Sequence, residues 1–240
     1  MTAATPLLST RGLTRRFGGL TAVDGVDFDL VPGEVRALIG PNGAGKTTFV
    51  SMLIGRIAPT SGTIALGGRD ITRLPAHARV ARGMAYTFQV TSVFQRLTVA
   101  ENVALALRRS ERHERAVQAQ AAAVLARVGL EAQGGATAGA LSYGHQRLLE
   151  VAMGLAQSPR VLILDEPTQG LSDGEIAAFN ALVRSLVPET TVLLIEHNMA
   201  VVMALATRIT VLNAGAVLAE GAPEAIRADA RVQAAYLGTD

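Results

Sequence analysis

The chain has 240 residues, 49% of them hydrophobic and 18% charged, with 22 Lys+Arg against 20 Asp+Glu and no cysteine. The hydrophobic content excludes a disordered chain. The length fits one α/β domain with room for a small insertion, and the missing cysteine removes disulfides, thiol catalysis and Cys-based zinc sites. A net charge of +2 provides no large field for capturing nucleic acid.

In chain order, Val26, Phe28 and Leu30 alternate with Asp27 and Asp29, the period of a half-buried antiparallel strand. Pro32 and Gly33 turn the chain into a short apolar strand, Val35 to Ile39. A glycine-rich loop leads to a predicted helix from about Lys46 to Ile57, then a strand from Thr63 to Leu66 closed by Gly67 and Gly68. A further strand runs from Met84 to Phe88. Thr98 and Glu101 form a capping box that opens a helix through Leu107. Residues 111–128 carry Val117, Ala121, Val124, Leu125 and Val128 at helical spacing. Gly134 to Ala140 reads as a small-residue loop, and roughly 90–155 as a helical subdomain inserted into an α/β core. Val161 to Leu164 is a continuous apolar run, the mark of a strand covered on both faces. A second capping box, Ser172 with Glu175, opens a helix to about Leu186. Strand Thr191 to Ile195, helix Ala200 to Ala206, strand Ile209 to Leu212 and a hairpin through Val217 to Ala219 complete the pattern. Strands alternating with helices predict a mostly parallel sheet. Residues 1–16 lack the apolar h-region of a signal peptide, and no run approaches a membrane span, so a soluble intracellular protein is expected.

Among the basic residues, 21 are arginine and one, Lys46, is lysine. A coding bias toward arginine explains the majority. A lone retained lysine marks a place where a compact ammonium serves and a wide guanidinium does not. Lys46 lies in Gly40, Pro41, Asn42, Gly43, Ala44, Gly45, Lys46 and Thr47, which fit G-x-x-x-x-G-K-[ST] between a predicted strand and a predicted helix, with Thr48 following. Such a loop turns successive N–H groups, and a helix N-terminus, toward phosphates. Lys46 would reach the β- and γ-phosphates and Thr47 would supply a hydroxyl to Mg²⁺. A nucleoside triphosphate is the expected ligand. The apolar strand 161–164 then delivers Asp165 and Glu166 to its C-terminal end, where ligands sit in open α/β sheets. Asp165 would bind Mg²⁺ through water, and Glu166 would polarise the attacking water.

Leu141, Ser142, Tyr143, Gly144, His145 and Gln146 lie upstream of Asp165 and open a helix, with Ser142 as its N-cap. Together with Gln89 before it and His197 after it, this resembles the ATP-binding subunit of an ABC transporter over nearly the whole chain. The resemblance implies an α/β P-loop NTPase fold. One domain over 1–240 would combine a RecA-like core and antiparallel β subdomain (about 1–89 and 156–240) with the helical subdomain (about 90–155). It implies ATP and Mg²⁺ as ligands, and head-to-tail dimers in which Ser142, Tyr143, Gly144 and His145 meet the nucleotide of the facing subunit. It also implies Gln89 as a contact of Mg²⁺ or water, His197 as a contact of the γ-phosphate, and Phe17 as the aromatic that stacks on adenine. Tyr143 and His145 depart from the family's Leu-Ser-Gly-Gly-Gln, which leaves open a dimer with one weakened ATP site. Tyr143 matters if its position needs φ > 0. Ser172 stands where many members have Asp, with Asp173 one step later.

The segments Arg16 to Val23, Thr87 to Gln89 with Leu97 to Asn102, Glu196 to Met199 and Tyr236 to Gly238 resemble the branched-chain and hydrophobic amino-acid uptake branch. That branch also includes urea and short-amide importers, and it often has Arg where Tyr86 stands. The implied partners are two transmembrane permease subunits, a second ATPase subunit and, indirectly, a substrate-binding protein. The implied location is peripheral, on the cytoplasmic face of the cell membrane. Val93, Phe94 and Leu97 are candidates for an apolar socket that grips the permease, or else for core packing of the helical subdomain.

Overall fold

Three of the apolar runs become strands buried at every position: β3 (Val35–Ile39), β7 (Val161–Asp165) and β8 (Thr191–Ile195). The computed structural model describes residues 5–87 and 92–237. In it, β6 (Met84–Thr87), β9 (Arg208–Asn213) and β10 (Ala216–Gly221) complete a sheet of order β10-β9-β3-β8-β7-β6. All its pairings are parallel except β9 with β10. A second, antiparallel sheet has the order β2-β1-β4-β5, from β1 (Leu8–Phe17), β2 (Leu20–Leu30), β4 (Ser61–Leu66) and β5 (Arg69–Asp70).

The two faces of the parallel sheet bury different partners, because successive residues of a strand point to opposite sides. Val161, Ile163, Leu193 and Ile195 share a core with Leu8, Phe28 and Leu30 of the antiparallel sheet and with Phe49, Met52 and Leu53 of α1 (Lys46–Leu53). Phe28 and Phe49 meet edge to face at 5.5 Å, a geometry worth about 0.5–1.5 kcal/mol beyond burial. Leu162, Leu164, Val192 and Leu194 face the helices instead. These are α3 (Val99–Leu107), α4 (Glu114–Arg127), α5 (Tyr143–Leu155), α6 (Asp173–Leu186) and α7 (Met199–Leu205). The short α2 (Ala76–Val80) precedes β6, and α8 (Pro223–Ala228) and α9 (Ala230–Leu237) cover the β9–β10 end.

Both capping boxes form as expected, at Thr98 with Glu101 and at Ser172 with Glu175. Helix α1 differs: expected to reach Ile57, it ends at Leu53, and Gly55 follows at φ +77°. Gly55 closes the helix, its N–H and that of Arg56 returning to the carbonyls of Met52 at 3.1 Å and Ser51 at 2.9 Å, while the guanidinium of Arg79, 1% exposed, donates to the carbonyls of Met52 and Leu53 at 2.7 Å each. Strand β1 and the C-terminal helices are additions to the sequence pattern. Phe88, the expected end of β6, lies outside the described residues.

Candidate nucleotide site

The loop after β3, the carboxylates closing β7 and the histidine after β8 come from three adjacent parallel strands, at their C-terminal ends. That is where an open α/β sheet forms its ligand crevice. A cleft of about 580 Å³ opens there, lined by Thr21, Ala22, Asn42 through Thr48, Glu166 and Gly215, among others. Two glycines of the loop are required by sterics. A Cβ at Gly40 would lie 2.2 Å from the carbonyl oxygen of Leu212, and one at Gly45 2.4 Å from that of Ala22. The N-cap of α1 is Gly45 at φ +99°, so no side chain caps the helix, and its first turn holds no acidic residue. The positive end of the helix is thus left for an anion.

Lys46 folds back onto its own loop, donating from Nζ to the carbonyls of Gly40 at 2.6 Å and Pro41 at 3.0 Å. Burial lowers its pKa, while the carboxylates of Glu166 and Asp165 pull the other way. Asp165 is 7% exposed, and burial raises its carboxyl pKa. A hydrogen bond from Tyr86 opposes that rise, the charge of Glu166 adds to it, and Arg147 and Lys46 oppose it. Glu166 adopts φ +47°, an uncommon backbone for a residue other than glycine, and its N–H donates to the carbonyl of Ile195 at 2.9 Å. This turn swings its side chain toward the histidine that follows β8: Nδ1 of His197 is 3.8 Å from Oε1 of Glu166.

The oxygen donors suit Mg²⁺, which takes one or two carboxylates together with substrate phosphates. Thr47 and Asp165 are such donors, and among the described residues no cluster of three or more His, Cys, Asp or Glu side chains forms a protein cage. Gln89 lies outside the described residues.

The loop at Ser142 is built separately. Ser142 caps α5, its Oγ accepting from the N–H of His145 at 3.2 Å. Tyr143 is the first helical residue, and it is not among the residues of positive φ, so its backbone carries no strain. Its ring packs on Gly170, where a Cβ would come within 3.1 Å, and the guanidinium of Arg147 lies 5.4 Å from the ring centroid. At Gly144 a Cβ would lie 2.1 Å from Oε1 of Glu175, so the start of α5 abuts the capping box of α6. None of Ser142, Tyr143, Gly144 and His145 lines the Lys46 cleft. Phe17 does not line it either; it is 44% exposed, with the guanidinium of Arg15 stacked 4.5 Å from its ring.

Comparison with known proteins follows the same geometry. The ABC transporter family matches residues 23–169, across the phosphate loop, the capped loop and both carboxylates. The chain belongs to the ABC transporter ATPase family. The branched-chain amino acid ATP-binding cassette transporter family matches residues 216–240. Similar ABC ATPases include BraF of Pseudomonas aeruginosa, a high-affinity branched-chain amino acid transport ATP-binding protein, 42% identical over 97% of this chain and 98% of that one. LivG of Escherichia coli K12, of the same description, is 41% identical over 97% and 98%. LptB of Acidithiobacillus ferridurans, a lipopolysaccharide export system ATP-binding protein, is 37% identical over 97% of each chain. Among solved structures, MJ1267 in its ADP conformation, an ATP-binding cassette of an ABC transporter, superposes with a TM-score of 0.90 at 26% identity, over 97% of this chain and 99% of that one. The ABC ATPase fold expected from the sequence is thereby established.

Within this ABC ATPase, two site neighbours escaped the sequence reading. Glu196, 1% exposed, accepts from the hydroxyl and N–H of Thr168 and from the N–H groups of His197 and Asn198, tying the loop after Glu166 to the histidine. Tyr86 donates from its phenol to Oδ2 of Asp165 at 2.6 Å. The adjacency of Glu196 to His197 is the one sequence signal for the first. For the second there is none, since the pairing of β6 with β7 creates the contact.

Proposed function

We propose that the chain is the ATP-hydrolysing subunit of an importer for branched-chain or other hydrophobic amino acids, or for a related small amide such as urea. The observation that carries hydrolysis is that Lys46 and Glu166 line one cleft, with His197 3.8 Å from Glu166. The cargo class is supported by 41–42% identity to BraF and LivG and by the match at 216–240.

Loop residues 40–47 and the N-terminus of α1 hold the phosphates of ATP. Lys46 exchanges its two loop carbonyls for phosphate oxygens. Thr47 and Asp165, with Gln89, would hold Mg²⁺, which supplies positive charge to the transferring phosphoryl group. Glu166 orients a water and draws on its proton as it attacks, and His197 contacts the γ-phosphate from beside Glu166. Phe17 stacks on the adenine. Ser142, Tyr143, Gly144 and His145, outside this chain's own cleft, contact the nucleotide of a facing ATPase subunit. Two permease subunits dock near Val93, Phe94 and Leu97, of which Phe94 is 54% exposed and Val93 packs against the helical core. An external binding protein delivers the cargo. The subunit sits peripherally on the cytoplasmic face of the membrane; among the described residues no helix is long and apolar enough to cross it.

The test is Glu166→Gln, which retains ATP but stalls its hydrolysis. With ATP and Mg²⁺ this variant is expected to elute as a dimer in gel filtration. Persistent monomer would point to a homologous partner subunit instead of a second copy. A second reading, an ATPase of an export complex, draws on the 37% identity to LptB. Identification of the permeases captured with the protein from its native membrane decides between the two.

A further inference from the structure

The hydrogen bond between Tyr86 and Asp165 is unused by the reading above. The two residues sit on neighbouring parallel strands: Tyr86 is in register with Ile163, and Asp165 closes β7 two residues later. Residues 163 and 165 share a face of the strand, so a long side chain from position 86 runs along that face toward the carboxylate. The ring of Tyr86 packs against the core beneath α1, and its hydroxyl emerges at Oδ2 of Asp165, 2.6 Å away. That length is within the range of a well-formed O–H···O hydrogen bond.

The phenol donates to Asp165 without adding charge. It steadies the carboxylate and leaves its full negative charge available to a cation.

We propose that Tyr86 is a positioning residue for the divalent cation of the ATPase: it occupies one oxygen of Asp165, fixes that side chain's rotamer, and leaves the carboxylate's charge for the metal. This rests on the reading of Asp165 as the metal carboxylate. Strand β6, which carries Tyr86, is thus tied at its C-terminal end to the strand that carries the catalytic carboxylates.

The test compares the unmodified protein with Tyr86→Phe, which keeps the ring and removes the hydroxyl. Binding of Mn²⁺ in the presence of ATP is followed by electron paramagnetic resonance. Binding of a fluorescent ATP analogue in EDTA reports the metal-free site. The half-saturating Mn²⁺ concentration is expected to rise about tenfold in Tyr86→Phe, the usual cost of removing a group that orients a metal ligand. Metal-free nucleotide affinity stays within about twofold, and the Mg²⁺ requirement for turnover rises with little change in KM for ATP at saturating metal. An unchanged Mn²⁺ titration overturns the proposal, as does an equal loss of nucleotide affinity in EDTA, which would mark a purely structural role. Asp165→Asn, measured alongside, separates the two levels. If it leaves the Mn²⁺ titration unchanged, the reading of Asp165 fails, and the role of Tyr86 with it. If only Tyr86→Phe is silent, the role of Tyr86 alone is lost.

Discussion

The side chains around the cleft are held in states that favour chemistry over stability. Burial raises the carboxyl pKa of Asp165, so the folded protein holds that proton more tightly than the unfolded chain does. Its contribution to stability is therefore present below the ordinary carboxylate range and is lost as pH rises through the raised value. Asp165→Asn removes the buried charge while keeping an acceptor for Tyr86. It is expected to abolish ATP turnover yet raise the Tm at pH 7 by about 2–4 °C, the shift of roughly 1 kcal/mol for a chain this size. Calorimetry across pH checks the sign, because the gain should shrink as pH falls toward 4. Lys46→Arg addresses the lone lysine: its ammonium fits between two loop carbonyls at 2.6 and 3.0 Å. A guanidinium there is too wide, and kcat is expected to fall about 100-fold or more, the usual cost of displacing a donor from a developing negative charge. The sequence made Lys46, Asp165 and Glu166 legible because each lies in a motif of contiguous residues. Glu196 and Tyr86 were not legible, because their partners Thr168 and Asp165 lie across loops and strands.

At the scale of elements, helix boundaries show which signals are local. The starts of α3 and α6 were readable from Thr98 with Glu101 and Ser172 with Glu175, since each cap lies within four residues of chain. The end of α1 has a local signal as well, Gly55 in the left-handed region, and the carbonyls of Met52 and Leu53 are also bonded by Arg79, more than twenty residues downstream. Arg79 also donates to the carbonyls of Leu74 and Thr72, so one guanidinium fastens α1 to the segment before β6. Burial lowers its pKa to about 10, which still leaves it charged at neutral pH. Arg79→Met is expected to cost about 2–4 kcal/mol by leaving buried carbonyls unpaired. A urea titration should show the loss in its midpoint at an unchanged slope. Strand β1 was hidden for another reason. Its pairing with β2 shifts register repeatedly between Thr10 and Arg16, and buried Thr10 and Thr14 break the alternation.

For the molecule as a whole, the helical region and the sheet share an apolar core. Val99, Val103 and Leu107 of α3 and Leu149 and Val151 of α5 share one apolar cluster with Leu162, Leu164, Val192 and Leu194 of the sheet. Amide exchange in α5 and β7 is therefore expected to proceed through one shared opening, with protection in the two elements falling together as urea is added. A chain of 240 residues with one side-chain ammonium has a further consequence. Its single ε-amine lies in the phosphate loop, with a pKa lowered by burial, so a larger share of it is the nucleophilic free base than in a solvent-exposed lysine. An acylating reagent should therefore mark this protein at one internal position, and bound nucleotide should shield that position. Intact-mass measurement would read occupancy directly from the native sequence, with no engineered label.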